Sequence, residues 1–291
     1  MTMERRDFLR TTAAIGLGTV FATACSGAQK TSTAAQAPRG DATPEDTRAM
    51  VTAFLEKRGF ASVAPVPLVS GNPYNGGLQY DDDTRALRPG QYVMQVSARV
   101  EDIAKRDVPG TLPSFTIAAA IGAAGTDDTA LLRLWLDFMI TEAGLDPKRL
   151  RVTTTERARH CFATLAKAGI GESQIRLRSW DDALREGNGS GYFAPKGHPA
   201  APKFESLSFE YVLSDGREIE IAELGYEGAR LPYGGGIGIE RLTMARNDRT
   251  MSWSDRLSTF KQAAEASASA TKRPLPPGYY AILGLPRPAG A

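Results

Sequence analysis

The sequence predicts an α+β fold, an antiparallel β-sheet flanked by helices, and three stretches carry that expectation. From Phe204 to Leu213, Leu207, Phe209, Tyr211 and Leu213 alternate with Ser206, Ser208, Glu210 and Val212, the two-residue period of a half-buried strand. Asp215-Gly216 is a hairpin-turn signal, and Glu218 to Leu224 returns as the partner strand. Between Asp127 and Gly144, Leu131, Trp135, Phe138 and Met139 fall at helical spacing on one apolar face, with Gly144 as the stop. The run Gly234-Gly235-Gly236-Ile237-Gly238 then leads straight into Ile239-Glu240-Arg241-Leu242, a glycine-rich segment opening a helix.

The remaining elements follow in order. Thr43 is an N-cap before Pro44, and Glu45 and Asp46 favour the positive end of the helix dipole, so a helix runs through Met50, Phe54 and Leu55 to Gly59. Ala64 to Val69 is extended by its prolines. Asp81-Asp82-Asp83 reads as a solvated turn. Gln91 to Arg99 is a strand followed by Val100-Glu101-Asp102-Ile103. Arg149 to Thr155 is a strand, Glu156 to Ala168 a helix ending at Gly169, and Ile175 to Trp180 another strand, with Trp180 in the core. The loop Gly187-Asn188-Gly189-Ser190-Gly191 continues to Lys196 and His198, which could contact an anion, although a plain surface loop accounts for it as well. A short helix from Ser252 to about Ala266 precedes a Pro-rich tail, so 251–291 stands apart from the body at 44–250.

The glycine run is the first candidate site. Glycine lacks a Cβ and lets a backbone or flat ligand approach closely, and an arginine fixed just after it presents a planar fork of donors suited to phosphate. A tight turn with a structural Glu-Arg pair reads the same residues without any ligand.

Composition bounds the rest. The chain has 291 residues, 42% hydrophobic and 23% charged, enough for one large domain or two small ones. A net charge of +2 carries no concentrated basic face of the kind nucleic-acid binding needs. With His160 and His198 as its two histidines, the chain has no metal-ligand cluster in its sequence, and no structural metal is expected. Cys161, in a helical pattern beside Phe162, reads as a small core residue.

The N-terminus, MTMERRDFLR, resembles a twin-arginine export signal through Arg5-Arg6 and Phe8-Leu9. Thr11 to Ala24 is uncharged and largely apolar, of signal length and short for a membrane span. Ala22-Thr23-Ala24-Cys25 resembles a lipobox with Cys25 as the lipidated residue, and also offers Ala-x-Ala for ordinary cleavage. The expected organisation is a signal at 1–25, a flexible tether at 26–43 rich in Ser, Ala, Gly, Thr and Gln, and an exported, periplasmic or membrane-anchored body.

Pro232 to Arg249, reading PYGGGIGIERLTMARNDR, resembles motif 3 of the class II aminoacyl-tRNA synthetases, most closely the alanyl type. Arg99 with its trailing Glu-Asp-Ile resembles the start of motif 2, and the order of elements over about 44–250 is similar to the alanyl-type catalytic domain. The resemblance implies that Arg99 and Arg241 contact ATP phosphates as the catalytic arginines. Gly235, Gly236, Gly238, Glu240 and Arg241 would then form the nucleotide site, with Mg accompanying ATP. It places Leu184, Glu205, Glu223 and Gly234 in the amino-acid pocket, and it implies a homodimer.

Several family positions are changed in this chain. Leu112-Pro113 and Ala119 stand where the family has a basic pair and a glutamate, Leu184 where it has a tryptophan, and Gly234 where it has the aspartate that pairs with the substrate ammonium. A buried ammonium without that partner costs several kcal/mol, so alanine is a poor ligand. The family's tRNA-recognition domains have no room here, so tRNA is not the expected partner. The reading is an exported scaffold that binds an anionic or nucleotide-like ligand without catalysis. An ATP-dependent carboxylate-adenylating enzyme and a tethered partner-binding lipoprotein stand as alternatives.

Overall fold

A computed structural model describes residues 40–70, 87–123, 125–127, 129–187, 189–193, 204–226 and 234–287. The chain divides into two units, Met1–Ala35 and Gln36–Ala291, and every described residue belongs to the second. The twin-arginine stretch, Cys25, Ser26 to Arg39 of the tether, Asp81-Asp82-Asp83, Lys196 and His198 lie outside the described residues.

Helix α1 spans Pro44–Lys57 and opens on a capping box: Thr43 Oγ1 accepts from Asp46 N–H while the Asp46 carboxylate takes the Thr43 N–H. Strands β1 (Ala61–Ser62), β2 (Gln91–Ala98) and β3 (Ser114–Ile121) follow, with a 3-10 turn at Val100–Lys105 between the last two. The helix expected over Asp127–Gly144 is α2 (Ala130–Asp137) widened into a π turn at Phe138–Glu142, and Gly144 ends it with φ +69°. Then come β4 (Leu150–Thr155), a 3-10 segment at Glu156–Cys161, α3 (Phe162–Lys167) and β5 (Ile175–Arg178). Helix α4 (Trp180–Glu186), β6 (Tyr192–Phe193), β7 (Phe204–Val212), β8 (Glu218–Tyr226) and β9 (Gly234–Gly238) lead into α5 (Ile239–Asn247), α6 (Trp253–Thr271) and α7 (Pro277–Leu283).

The architecture is α+β, with one mixed sheet ordered β1-β2-β3-β9-β8-β7-β4-β5 and β6 paired to β7. Its interior pairs are antiparallel, but β1–β2 and β4–β5 are parallel, which corrects the purely antiparallel expectation. The reason is connectivity: β4 reaches β5 through a helical crossover, and such a return lays the second strand parallel to the first.

One face of the sheet forms the main core. Leu207, Phe209, Tyr211, Leu224 and Ile237 pack there against Phe54 and Leu55 of α1, Trp135 of α2 and Leu242 of α5, and Cys161 is buried among them. A second cluster joins α6 and α7 to Leu68 and Val69 through Phe260, Tyr279 and Ile282. Helix α6 runs further than expected, to Thr271, and the Pro-rich tail holds α7. Trp180 departs from its expected strand and core position. Ser179 caps α4 by accepting from Asp182 N–H, so Trp180 begins a helix, half-buried under the Arg157 guanidinium 3.8 Å from its ring.

Candidate functional site

The sheet face opposite the main core is polar in its β7–β8 half. Alternation on β7 puts Ser206, Ser208 and Glu210 on that face. On β8, Glu220 pairs with Glu210 and Glu223 with Ser208. Residues three apart on a regular strand point to opposite sides, yet Glu220 and Glu223 share this face. A bulge explains it: Phe209 pairs with Ala222 and Glu210 with Glu220, so Ile221 is the extra residue.

Glu223 accepts from Ser206 Oγ at 3.0 Å, Ser208 Oγ at 3.5 Å and Gly189 N–H at 3.2 Å. Gly189 lies over this face, where a Cβ would stand 3.6 Å from Glu220 Oε1 and 3.9 Å from Ser208 Oγ. Burial, reinforced by repulsion from Glu220, pushes the Glu223 carboxyl well above the usual carboxylate range. Glu210 takes a 3.0 Å bond from the Thr153 hydroxyl, and burial raises it to about 7. Glu218 pairs with Arg176 at 2.5 Å.

The expected arginines meet at the start of β3. The Arg241 guanidinium stands 4.3 Å from the Phe115 ring centroid and that of Arg99 stands 5.3 Å from the same centroid. Gly238 leaves room for this stack: a Cβ there would come 3.3 Å from both Phe115 Cδ2 and Arg241 Cδ. Arg241 Nη1 also donates to Glu220 Oε2 at 2.6 Å, and Arg99 binds Asp102 at 2.8 Å and Glu101 at 3.1 Å. Burial works against the Arg99 charge, but Asp102 and Glu101 outweigh it and raise the guanidinium further. Among the described residues, Arg241 Nε and Nη2 and Arg99 Nη2 have no hydrogen-bond partner.

The other predicted residues divide. Gly235 and Gly236 are tightly enclosed by neighbouring strands: a Cβ on Gly235 would overlap Glu223 O and stand 2.7 Å from Leu224 Cα, and one on Gly236 would stand 2.5 Å from Ala118 O. These glycines let β9 thread between β3 and β8. Gly234 is buried at the start of β9, paired with Ile121 and Gly225. Glu240 turns inward, taking Thr116 N–H at 2.7 Å and Arg256 Nη2 at 3.1 Å, and burial raises its carboxyl although both partners oppose this. Glu205 sits at the far end of β7 on the side of Leu207 and Phe209, 3.7 Å from His160 Nε2. Leu184 is half-buried on α4, and α4 is tied to the loop by the Ser190 hydroxyl bond to Ala183 O. Glu205 and Glu223, assigned to one pocket, thus lie on opposite sides of the sheet.

Sequence reading singled out neither Phe115 nor Glu220, and it used Ser206, Ser208 and Glu210 only as a strand pattern. That same alternation carried the signal, since three polar side chains on one face of a long strand either meet solvent or build a site. Among the described residues no group of three or more His, Cys, Asp or Glu could hold a metal ion. No protein-family model matches this chain, and no curated protein matches it.

Proposed function

We propose that the chain is an exported, non-catalytic binding protein on a scaffold of the class II synthetase type, and that it holds a small anionic group between Arg99 and Arg241. The observation that carries the reading is the convergence of both guanidiniums on the Phe115 ring, with donors left over on each. Two arginines on rigid elements suit a phosphate or carboxylate through forked hydrogen bonds. Helix α5 adds to this, because its N-cap Gly238 supplies no side-chain acceptor, and the first N–H groups of a helix favour an anion.

The residues fit an intact nucleotide less well. A base stacked between Phe115 and Arg241 would need roughly 7 Å, two contact distances, and the gap is 4.3 Å. ATP with Mg is therefore a comparison ligand in the test. An adenylate-forming step has no base slot here, which favours binding over ligase chemistry. The export signal and Cys25 tether complete the proposal: the site works outside the cytoplasm, on a body anchored at the membrane.

The test is thermal unfolding with millimolar pyrophosphate, inorganic phosphate or Mg-ATP, for the parent protein and for Arg241→Gln and Arg99→Gln. A ligand that binds only the native state raises the midpoint by mass action. Pyrophosphate raising the midpoint in the parent but in neither variant supports the reading. An equal rise in all three places the anion elsewhere and rejects it. A rise with Mg-ATP alone reinstates the nucleotide site, and no rise with any of them ends the proposal.

A further inference from the structure

We infer that the β7–β8 face binds an organic polycation, a linear di- or polyamine, with Glu210 and Glu223 taking separate ammonium groups. This rests on residues other than Arg99 and Arg241, so it stands whether or not the anion reading does.

The first observation is a charge imbalance. Four carboxylates share the face: Glu210, Glu218, Glu220 and Glu223. Two guanidiniums are paired to them, Arg176 to Glu218 at 2.5 Å and Arg241 to Glu220 at 2.6 Å, while Arg151, opposite Glu210 on β4, donates to Lys148 O and Leu150 O instead. Glu223 receives only neutral donors, from Ser206, Ser208 and Gly189, and Glu210 only the Thr153 hydroxyl. A carboxylate withdrawn from water without a counter-charge is costly, and it either holds a proton or awaits a cation.

The second observation is unmet hydrogen bonding on the same side of the sheet. Thr155 is fully buried and its Oγ1 has no partner among the described residues. It follows Thr153 on the same side of β4, and its neighbour Thr154 bonds Ser206 O at 2.7 Å, so Thr155 stands beside the Glu223 cradle. The buried Glu210 Oε2 also lacks a partner among the described residues. Each of these atoms can accept an ammonium N–H.

Spacing favours several cationic centres over one ion. Glu223 pairs with Ser208, and Glu210 lies two residues further along β7, an offset of roughly 7 Å at strand rise. Carboxylates that far apart do not converge on one metal, in keeping with the absence of a metal-holding group among the described residues. They suit amino groups separated by a short alkyl chain, whose methylenes can lie along the sheet. The charged groups around Glu223 are Glu220 on its own strand, Glu210 on β7, Arg241 on α5, Arg151 on β4 and Arg176 on β5, while Gly189 covers it from the loop.

The experiment titrates the full chain with spermidine and putrescine, following the unfolding midpoint and the binding heat. NaCl at equal ionic strength and MgCl2 are controls, and Glu223→Gln, Glu210→Gln and the double variant are compared. At pH 8, spermidine at ten times its Kd is expected to raise the midpoint by roughly 3 °C. The shift should fall at least tenfold in apparent affinity in either single variant and vanish in the double. Binding at pH 7 should release protons, read as a heat that changes with buffer ionisation, because the ammonium groups require ionised carboxylates. A shift equalled by NaCl or MgCl2, or one that persists in the double variant, overturns the proposal. So does no shift at all. Glutamine mimics the protonated side chain, so the variants should fold, and a parent chain that ignores spermidine rejects the idea without them. Arg241→Gln should still bind spermidine, which separates this outcome from that of the anion test.

Discussion

Glu220 and Glu223 occupy the same face of β8 although three residues separate them, because Ile221 bulges out of register with β7. The bulge sets two carboxylates close together, and repulsion from Glu220 adds to burial in lifting Glu223. The electrostatics of the site thus trace to one inserted residue.

The pH dependence of stability follows from that lift. Glu210, with an ordinary value of 4.5 and about 7 in the fold, binds its proton more tightly folded than unfolded, and Glu223 shifts in the same direction. Where the folded state holds the extra proton, stability falls as pH rises. Urea midpoints should therefore drop between about pH 4.5 and 7, and further while Glu223 ionises. Glu210→Gln and Glu223→Gln should flatten this slope and leave the variants more stable than the parent at pH 8.5. A parent curve that rises over that window contradicts the burial of both groups.

Gly235 should tolerate no side chain. Its φ is +148°, and a Cβ would stand 2.7 Å from Leu224 Cα and overlap Glu223 O. Gly235→Ala is expected to cost about 3 kcal/mol or more, as backbone strain joins a clash that no rotamer relieves. Gly59→Ala is the control: its φ is +82° but nothing lies within 4 Å of the added carbon, so about 1 kcal/mol is expected. Chemical denaturation of both variants measures the difference.

Glu240 should behave as a structural residue. Its carboxylate joins the Thr116 N–H of β3 to Arg256 of α6 from its seat on α5. Glu240→Ala leaves a buried N–H and a guanidinium unpaired, and about 3 kcal/mol of destabilisation is expected. The double change Glu240→Leu with Arg256→Met should recover part of it, because neither charge is then left alone. Pyrophosphate binding, measured well below the melting temperature, should be unchanged in both.

The cap of α1 offers a calibrated comparison. Thr43→Ala removes the Oγ1 bond to Asp46 N–H and should cost about 1 kcal/mol. The Asp46 carboxyl, held below its ordinary value first by the Thr43 backbone N–H and then by the Thr43 hydroxyl, should keep the backbone share of that shift and lose the hydroxyl's, which NMR titration would read.

The fold was legible wherever one local rule governed a stretch. Thr43-Pro44 opened α1, Asp215-Gly216 turned β7 into β8, and the alternation of Leu207, Phe209 and Tyr211 marked the strand buried at the sheet centre. What stayed hidden was non-local. The parallel direction of β1 and β5 depends on how distant segments return to the sheet, and the Ile221 bulge depends on the register chosen against β7. Trp180 was misplaced because its aromatic character suited a core strand, while the Ser179 cap two residues past Leu177 decided for a helix. The site was half legible. Arg99 and Arg241 were named from the sequence and do meet at Phe115, whereas Glu205 and Glu223 were assigned to one pocket and stand on opposite sides of the sheet.

Among the described residues, strand β9 alone links two half-sheets, β1-β2-β3 on one side and β8-β7-β4-β5 on the other. It is also the last of the described strands in sequence, ending at Gly238. During synthesis both halves emerge from the ribosome before the strand that unites them. Until it arrives, β3 and β8 each present a bare edge of backbone donors and acceptors, the template on which nascent chains pair wrongly with one another. Five residues, four of them glycine, therefore govern when the molecule closes, and a chain cut off just before Gly234 would keep both edges bare.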